Sequence, residues 1–195
     1  MTKALENLLG DIRRCSVCKA KLRHAPKPVV QAESKARIVI VGQAPGSKVH
    51  ASGIPWSDQS GDRLREWTGL DEALFYDPTR IALMPMGFCY PGAANGADLP
   101  PRPECAPLWH EPLLALLPNI KLTLLIGIHA QEYYLRDARQ DTMTETVRSF
   151  ADFGPNRFPL PHPSWRSTGW MRRNPWFETK VLPALRRNVR SALAD

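Results

Sequence analysis

The chain has 195 residues, 43% hydrophobic and 23% charged, proportions of an ordinary globular protein, so global disorder is excluded and one domain spanning 1–195 is expected. A formal charge of +7 favours an anionic partner such as nucleic acid, or simply a basic soluble protein. The amino terminus MTKALENLLGDIRRC is charged throughout and no apolar run approaches the roughly 20 residues of a membrane span, so a cytoplasmic protein with no membrane partner is expected.

In chain order, Leu5, Leu8, Leu9 and Ile12 recur at helical spacing and predict an amphipathic helix ending near the Cys15-Ser16-Val17-Cys18 turn. From Lys19 to Lys35 the chain is basic, carries Pro26 and Pro28, and reads as a surface connection. Ile38, Val39, Ile40 and Val41 form a β-branched run that breaks at Gly42-Gln43-Ala44-Pro45-Gly46, a buried strand emptying into a tight loop. Open α/β sheets place their ligands in such loops. The following Gly53-Ile54-Pro55-Trp56-Ser57-Asp58-Gln59-Ser60-Gly61 puts an aromatic ring and a carboxylate between glycines, a floor for a small pocket.

Asp62 to Leu70 reads as a helix with Leu64, Trp67 and Leu70 on one face, and Ile81 to Met84 as a second buried strand ending at Pro85. Gly87 to Pro103, rich in Gly and Pro, reads as loop. Helical spacing returns with Leu108, Leu113, Leu114, Leu116 and Leu117, followed by a strand over Leu122 to Ile128. Residues 129 to 150 start helical and turn polar, a last strand is predicted over Arg157 to Leu160, and a closing helix over Trp176 to Leu193 points Val181, Leu185, Val189 and Leu193 inward. Alternating helices and apolar strands imply an α/β fold, a parallel sheet with helices on both faces.

The four cysteines, Cys15, Cys18, Cys89 and Cys105, form one close pair and two distant singles. In a reducing compartment this argues for a metal site rather than disulfides, and spacing leaves tetrahedral zinc and a 4Fe-4S cluster both open, with four unrelated buried thiols as the alternative.

Taken together, the loops and cysteines resemble the uracil-DNA glycosylase superfamily, most closely its iron–sulfur branches, families four and five. Family four carries Gly-Glu-Ala-Pro-Gly after the first strand and then Gly-x-Pro-Phe-Val-Gly-x-x-Gly, matched here by the 42–46 and 53–61 segments, and the second superfamily motif stands as His162-Pro163-Ser164. The cluster ligands of those families follow the order seen here: a close pair, a third cysteine before a Pro-Gly loop (Cys89-Tyr90-Pro91-Gly92), and a fourth opening a helix (Cys105).

The resemblance implies a three-layer α/β/α sandwich with a central four-stranded parallel sheet, a structural 4Fe-4S cluster, and a monomer that flips a deaminated base out of DNA and hydrolyses its N-glycosidic bond. It implies a pocket formed by Gly42, Gln43, Ala44, Pro45 and Gly46, with Trp56 as the platform that stacks on the base, Asp58 and His162 as the catalytic pair and Gln43 beside them, and Ser164 and Arg166 on phosphate or in the vacated space. For Trp56 core packing is the other role open to it, and for Asp58 an N-cap of the helix starting at about Gln59. The downstream Arg172, Arg173 and Lys180 would extend a phosphate-binding surface or simply cover a solvated face. Two positions depart from the pattern. Gln43 stands where family four has glutamate, and Leu83-Met84-Pro85-Met86-Gly87 has no uracil-reading asparagine, so tolerance of bases beyond uracil, such as hypoxanthine or xanthine, is expected. A DNA-binding module of the same fold without hydrolysis, and a zinc-bound hydrolase of free nucleosides, are the rival readings.

Overall fold

A computed structural model describes residues 2–194. Its centre is a four-stranded parallel sheet of order β2-β1-β5-β6, in which β1 is Ile38–Val41, β2 Ile81–Leu83, β5 Leu122–Ile126 and β6 Arg157–Leu160. All four residues of β1 are fully buried, which explains an unbroken β-branched run: an inner strand of a parallel sheet is covered on both faces and has no polar side to alternate with. Pro159 is tolerated because β6 is an edge strand.

Adjacent β1 residues pack into separate cores. Ile38 and Ile40 join Leu64 and Trp67 of α3 (Gln59–Thr68) and Leu185 and Val189 of α9 (Leu182–Leu193). Val39 and Val41 face Leu5, Leu9 and Ile12 of α1 (Lys3–Arg13), Leu113 of α5 (Cys105–Ala115) and Ala130 of α6 (Ile128–Leu135). The layers are therefore helix, sheet, helix, as expected. Short helices α2 (Ser47–Ser52), α4 (Glu72–Phe75), α7 (Met143–Arg148) and α8 (Ser167–Arg173) complete the wrapping.

Several local expectations are corrected. The 19–35 segment is not wholly a surface connection: Val29, Ala32 and Glu33 are buried, and Gln31 makes an antiparallel bridge to Leu83 that covers the open edge of β2. Helix α3 starts at Gln59, the start considered for a helix capped by Asp58, and not at Asp62 where its apolar face begins, because Asp58 Oδ1 accepts from the Gly61 amide. Within the 87–103 loop lies a small hairpin, β3 (Ala93–Ala94) with β4 (Ala97–Asp98), turned by Asn95 and Gly96, both at positive φ (51° and 72°). Asn-Gly at positive φ is the preferred two-residue hairpin turn. On α5 the buried face is Ala106, His110 and Leu113, whereas Leu108 is exposed. Helix α8 lies in a stretch to which no element was assigned, and the closing helix opens with a π-helical stretch over Phe177–Val181.

Candidate active site

Because all four strands run the same way, the loops following β1, β2 and β6 emerge at one end of the sheet. Between them is a cavity of about 470 Å³. The 42–46 loop, Trp56, Asp58, Ser164 and Arg166 line it together with His162, so the site residues expected from sequence, other than the cysteines, are brought together.

Trp56 takes a left-handed backbone conformation (φ 57°) and is wedged between two glycines. A Cβ on Gly42 would come within 2.6 Å of Trp56 Cζ2, and one on Gly61 within 1.8 Å of the Trp56 carbonyl oxygen. Glycine at both positions is thus a requirement of close approach, and it lays the indole across the mouth of the first loop. The ring is half-buried, packing against the core on one side and bordering the cavity. Its centroid is 5.9 Å from that of His162, at 31° between planes.

The His162 loop is held from several sides. Gln131 Nε2, fully buried, donates to the Leu160 carbonyl at 2.9 Å, Ser167 Oγ donates to the His162 carbonyl, and Arg63 Nη1 donates to the Ser164 carbonyl at 2.5 Å. Gly127, at φ 82°, passes so close that a Cβ there would touch His162 Cβ at 3.6 Å. Burial lowers the His162 pKa and the nearby Asp58 carboxylate opposes that shift, so the site favours the neutral imidazole. Asp58 Oδ1 caps α3, and the residue also borders the cavity.

At the floor, Pro85 replaces any polar group at the end of β2, and the backbone there is already engaged. The Met86 amide donates to Gly42 O (2.8 Å), the Gly87 amide to Gln43 O (3.0 Å), and the Pro85 carbonyl accepts from His110 Nε2 (3.1 Å). The Met86 and Gly87 amides are thus occupied by the loop after β1. Gln43 Nε2 is likewise committed, donating to Leu99 O at 3.3 Å.

Sequence reasoning missed Asp98. It is solvent-exposed on β4 and forms part of the cavity wall near Gly46, beside the Tyr90 hydroxyl, and its pKa is raised by partial desolvation and by Asp58, with Arg166 and Tyr90 opposing. The available signal was the Asn95-Gly96 turn, which announces a hairpin in what reads as featureless loop.

The model of the uracil DNA glycosylase superfamily matches residues 29–186. The chain belongs to the uracil DNA glycosylase superfamily. Membership implies DNA glycosylase activity in base excision repair, and no helix among the described residues is long and apolar enough to cross a membrane. The superfamily match takes in Cys89 and Cys105 but begins after Cys15 and Cys18.

Away from the cavity, Cys15, Cys18, Cys89 and Cys105 are partly buried free thiols. Among the described residues no group of three or more His, Cys, Asp or Glu side chains is placed so that it could hold a metal ion. The four thiols are nevertheless near enough that Cys15 and Cys18 each raise the pKa of Cys89 and of Cys105, whose thiols burial pushes up to about 11 and about 12. The Phe88 amide donates to Cys105 Sγ at 3.3 Å, and the Lys27 amide bonds Cys89.

Proposed function

We propose that this protein is a monomeric, single-domain DNA glycosylase that extrudes a deaminated base, uracil or also hypoxanthine or xanthine, and hydrolyses its N-glycosidic bond. The observation that carries the reading is the convergence of Trp56, Asp58 and His162 on one cavity at the carboxyl ends of the strands. A base within a duplex is out of reach, so it must be flipped and held against a flat surface, which the Trp56 indole offers. As the bond breaks, positive charge develops on the sugar and negative charge on the base. Asp58 supplies the carboxylate that orients water and offsets the first; neutral His162 donates to the second. Gln43, fastened to Leu99 O, lines the base pocket with Gly42, Ala44, Pro45 and Gly46. Ser164 and Arg166 contact the flanking phosphates, and exposed Trp165 fills the gap the base leaves.

The chemistry of Cys15, Cys18, Cys89 and Cys105 supports a 4Fe-4S cluster: four partly buried thiols close enough to act on one another electrostatically, with the Phe88 amide donating to Cys105 Sγ. Bound there, the cluster supplies a covalent tie between α1, the 87–92 segment and the start of α5, and no chemistry in the cavity. The assay that tests the proposal is single-turnover release of base from oligonucleotides containing uracil, hypoxanthine or xanthine. Release of at least one base supports it; no release, with retained DNA binding, favours a DNA-binding module of the same fold.

A further inference from the structure

The apolar end of β2 leaves open which side chain recognises the extruded base. Several polar side chains line the cavity, and some of their atoms are already bonded within the protein. The Gln43 amide nitrogen donates to Leu99 O, Asp58 Oδ1 holds the amino end of α3, and His162 lies beside the Trp56 ring. Asp98 stands on a different wall and is anchored differently. It is paired with Ala93 in the hairpin, its carboxylate lies within 3.3 Å of where a Gly46 Cβ would be, and Tyr90, itself buried, holds it by its hydroxyl. The residue after it, Leu99, accepts the Gln43 bond and donates its amide to Gly92 O at 2.9 Å, so the hairpin carrying Asp98 is tied to the Gln43 loop.

We propose that Asp98 is a specificity-determining residue that accepts a hydrogen bond from a ring N–H of the flipped base, in place of the side-chain amide missing from the end of β2. This rests on the glycosylase reading above. A carboxylate accepts from about four directions, so the Tyr90 hydroxyl and a base N–H bind it together. Deaminated bases present an N–H between or beside carbonyls, which suits an acceptor-only group. A base filling the cavity also takes Asp98 out of water close to Asp58. Covering a carboxylate without giving it a donor is costly, so a base lacking the N–H is rejected and an anionic base is repelled. The site therefore ranks uracil and hypoxanthine above xanthine, which ionises more readily.

The probe is N3-methyluracil, which retains the uracil ring and carbonyls but has no ring N–H. Single-turnover cleavage and equilibrium binding are measured for oligonucleotides carrying uracil or N3-methyluracil, with the unaltered protein, Asp98→Ala and Asp98→Asn. The unaltered protein is expected to prefer uracil by roughly 10- to 100-fold, the worth of one hydrogen bond to a charged group. In Asp98→Ala that preference should collapse toward unity, and in Asp98→Asn, which keeps an acceptor oxygen, it should partly survive. A preference of unchanged size in Asp98→Ala overturns the assignment, as does an equal loss for both substrates. If no base is released by the unaltered protein, the glycosylase reading fails, while the binding ratio still decides for or against Asp98.

Discussion

The indole of Trp56 lies against the Cα of Gly42 so closely that no side chain fits between them, the nearest ring carbon being 2.6 Å from where a Cβ would stand. This contact joins the loop after β1 to the segment that carries Asp58, and sets the plane on which a base would rest. Gly42→Ala is expected to tilt the ring away and weaken binding of a flipped base, while Trp56→Ala should cost about 1–3 kcal/mol of that binding through lost stacking. Fluorescence anisotropy on oligonucleotides with and without the damaged base measures both. If Trp56→Ala binds both alike and as tightly as the unaltered protein, the ring is not a base platform.

Asp58 combines a structural and a chemical role, and substitutions can separate them. Asparagine caps helices as well as aspartate does, so Asp58→Asn should retain stability, whereas Asp58→Ala should lose about 1 kcal/mol at the start of α3. Both should lower the single-turnover rate by roughly 10² or more with DNA binding largely intact, as should His162→Ala. A wild-type rate in Asp58→Asn would make Asp58 a cap alone.

The thiol site predicts that protein purified without oxygen is brown and contains iron near four atoms per chain, as a 4Fe-4S cluster requires (about four). Replacing Cys89 by Ser should lower iron content and melting temperature together. Stoichiometric zinc without iron would refute the cluster.

The charge of +7, with Arg166 and Ser164 at the cavity rim, predicts DNA binding that weakens steeply with salt, since neutralised phosphates release counterions. Arg166→Ala should flatten the slope of log K against log salt by about one, and a flat response in the unaltered protein would favour free nucleosides as substrate.

His110 predicts a stability effect with a defined sign. It is 1% exposed, accepts from Tyr134 or donates to it at 2.7 Å, and burial holds its pKa at about 4, below the ordinary value near 6.5. Between those values the unfolded chain binds the extra proton, so stability is fully present above about pH 6.5 and falls as pH drops toward 4, by up to about 3 kcal/mol. Thermal melts across that range should show the slope, and His110→Gln should lack it.

Much of this was legible because it is local. The unbroken apolar run of β1 marks a strand covered on both faces, and the observed bounds of β1 and β6 coincide with those expected. The expectation for α1 held as well, with Leu5, Leu9 and Ile12 on the inner face. The glycine-flanked loops and His162-Pro163-Ser164 carried the superfamily in contiguous stretches.

What only the tertiary structure decided depends on pairs of residues far apart in the chain. That Gln31 seals the edge of β2, that His110 binds Pro85 O, and that Asp98 reaches the cavity wall follow from sheet order and packing, which no period along the chain encodes. Hydrophobic patterning reports which face of an element is buried. It does not report which distant polar group that burial brings alongside, and here that group shapes the floor and wall of the cavity.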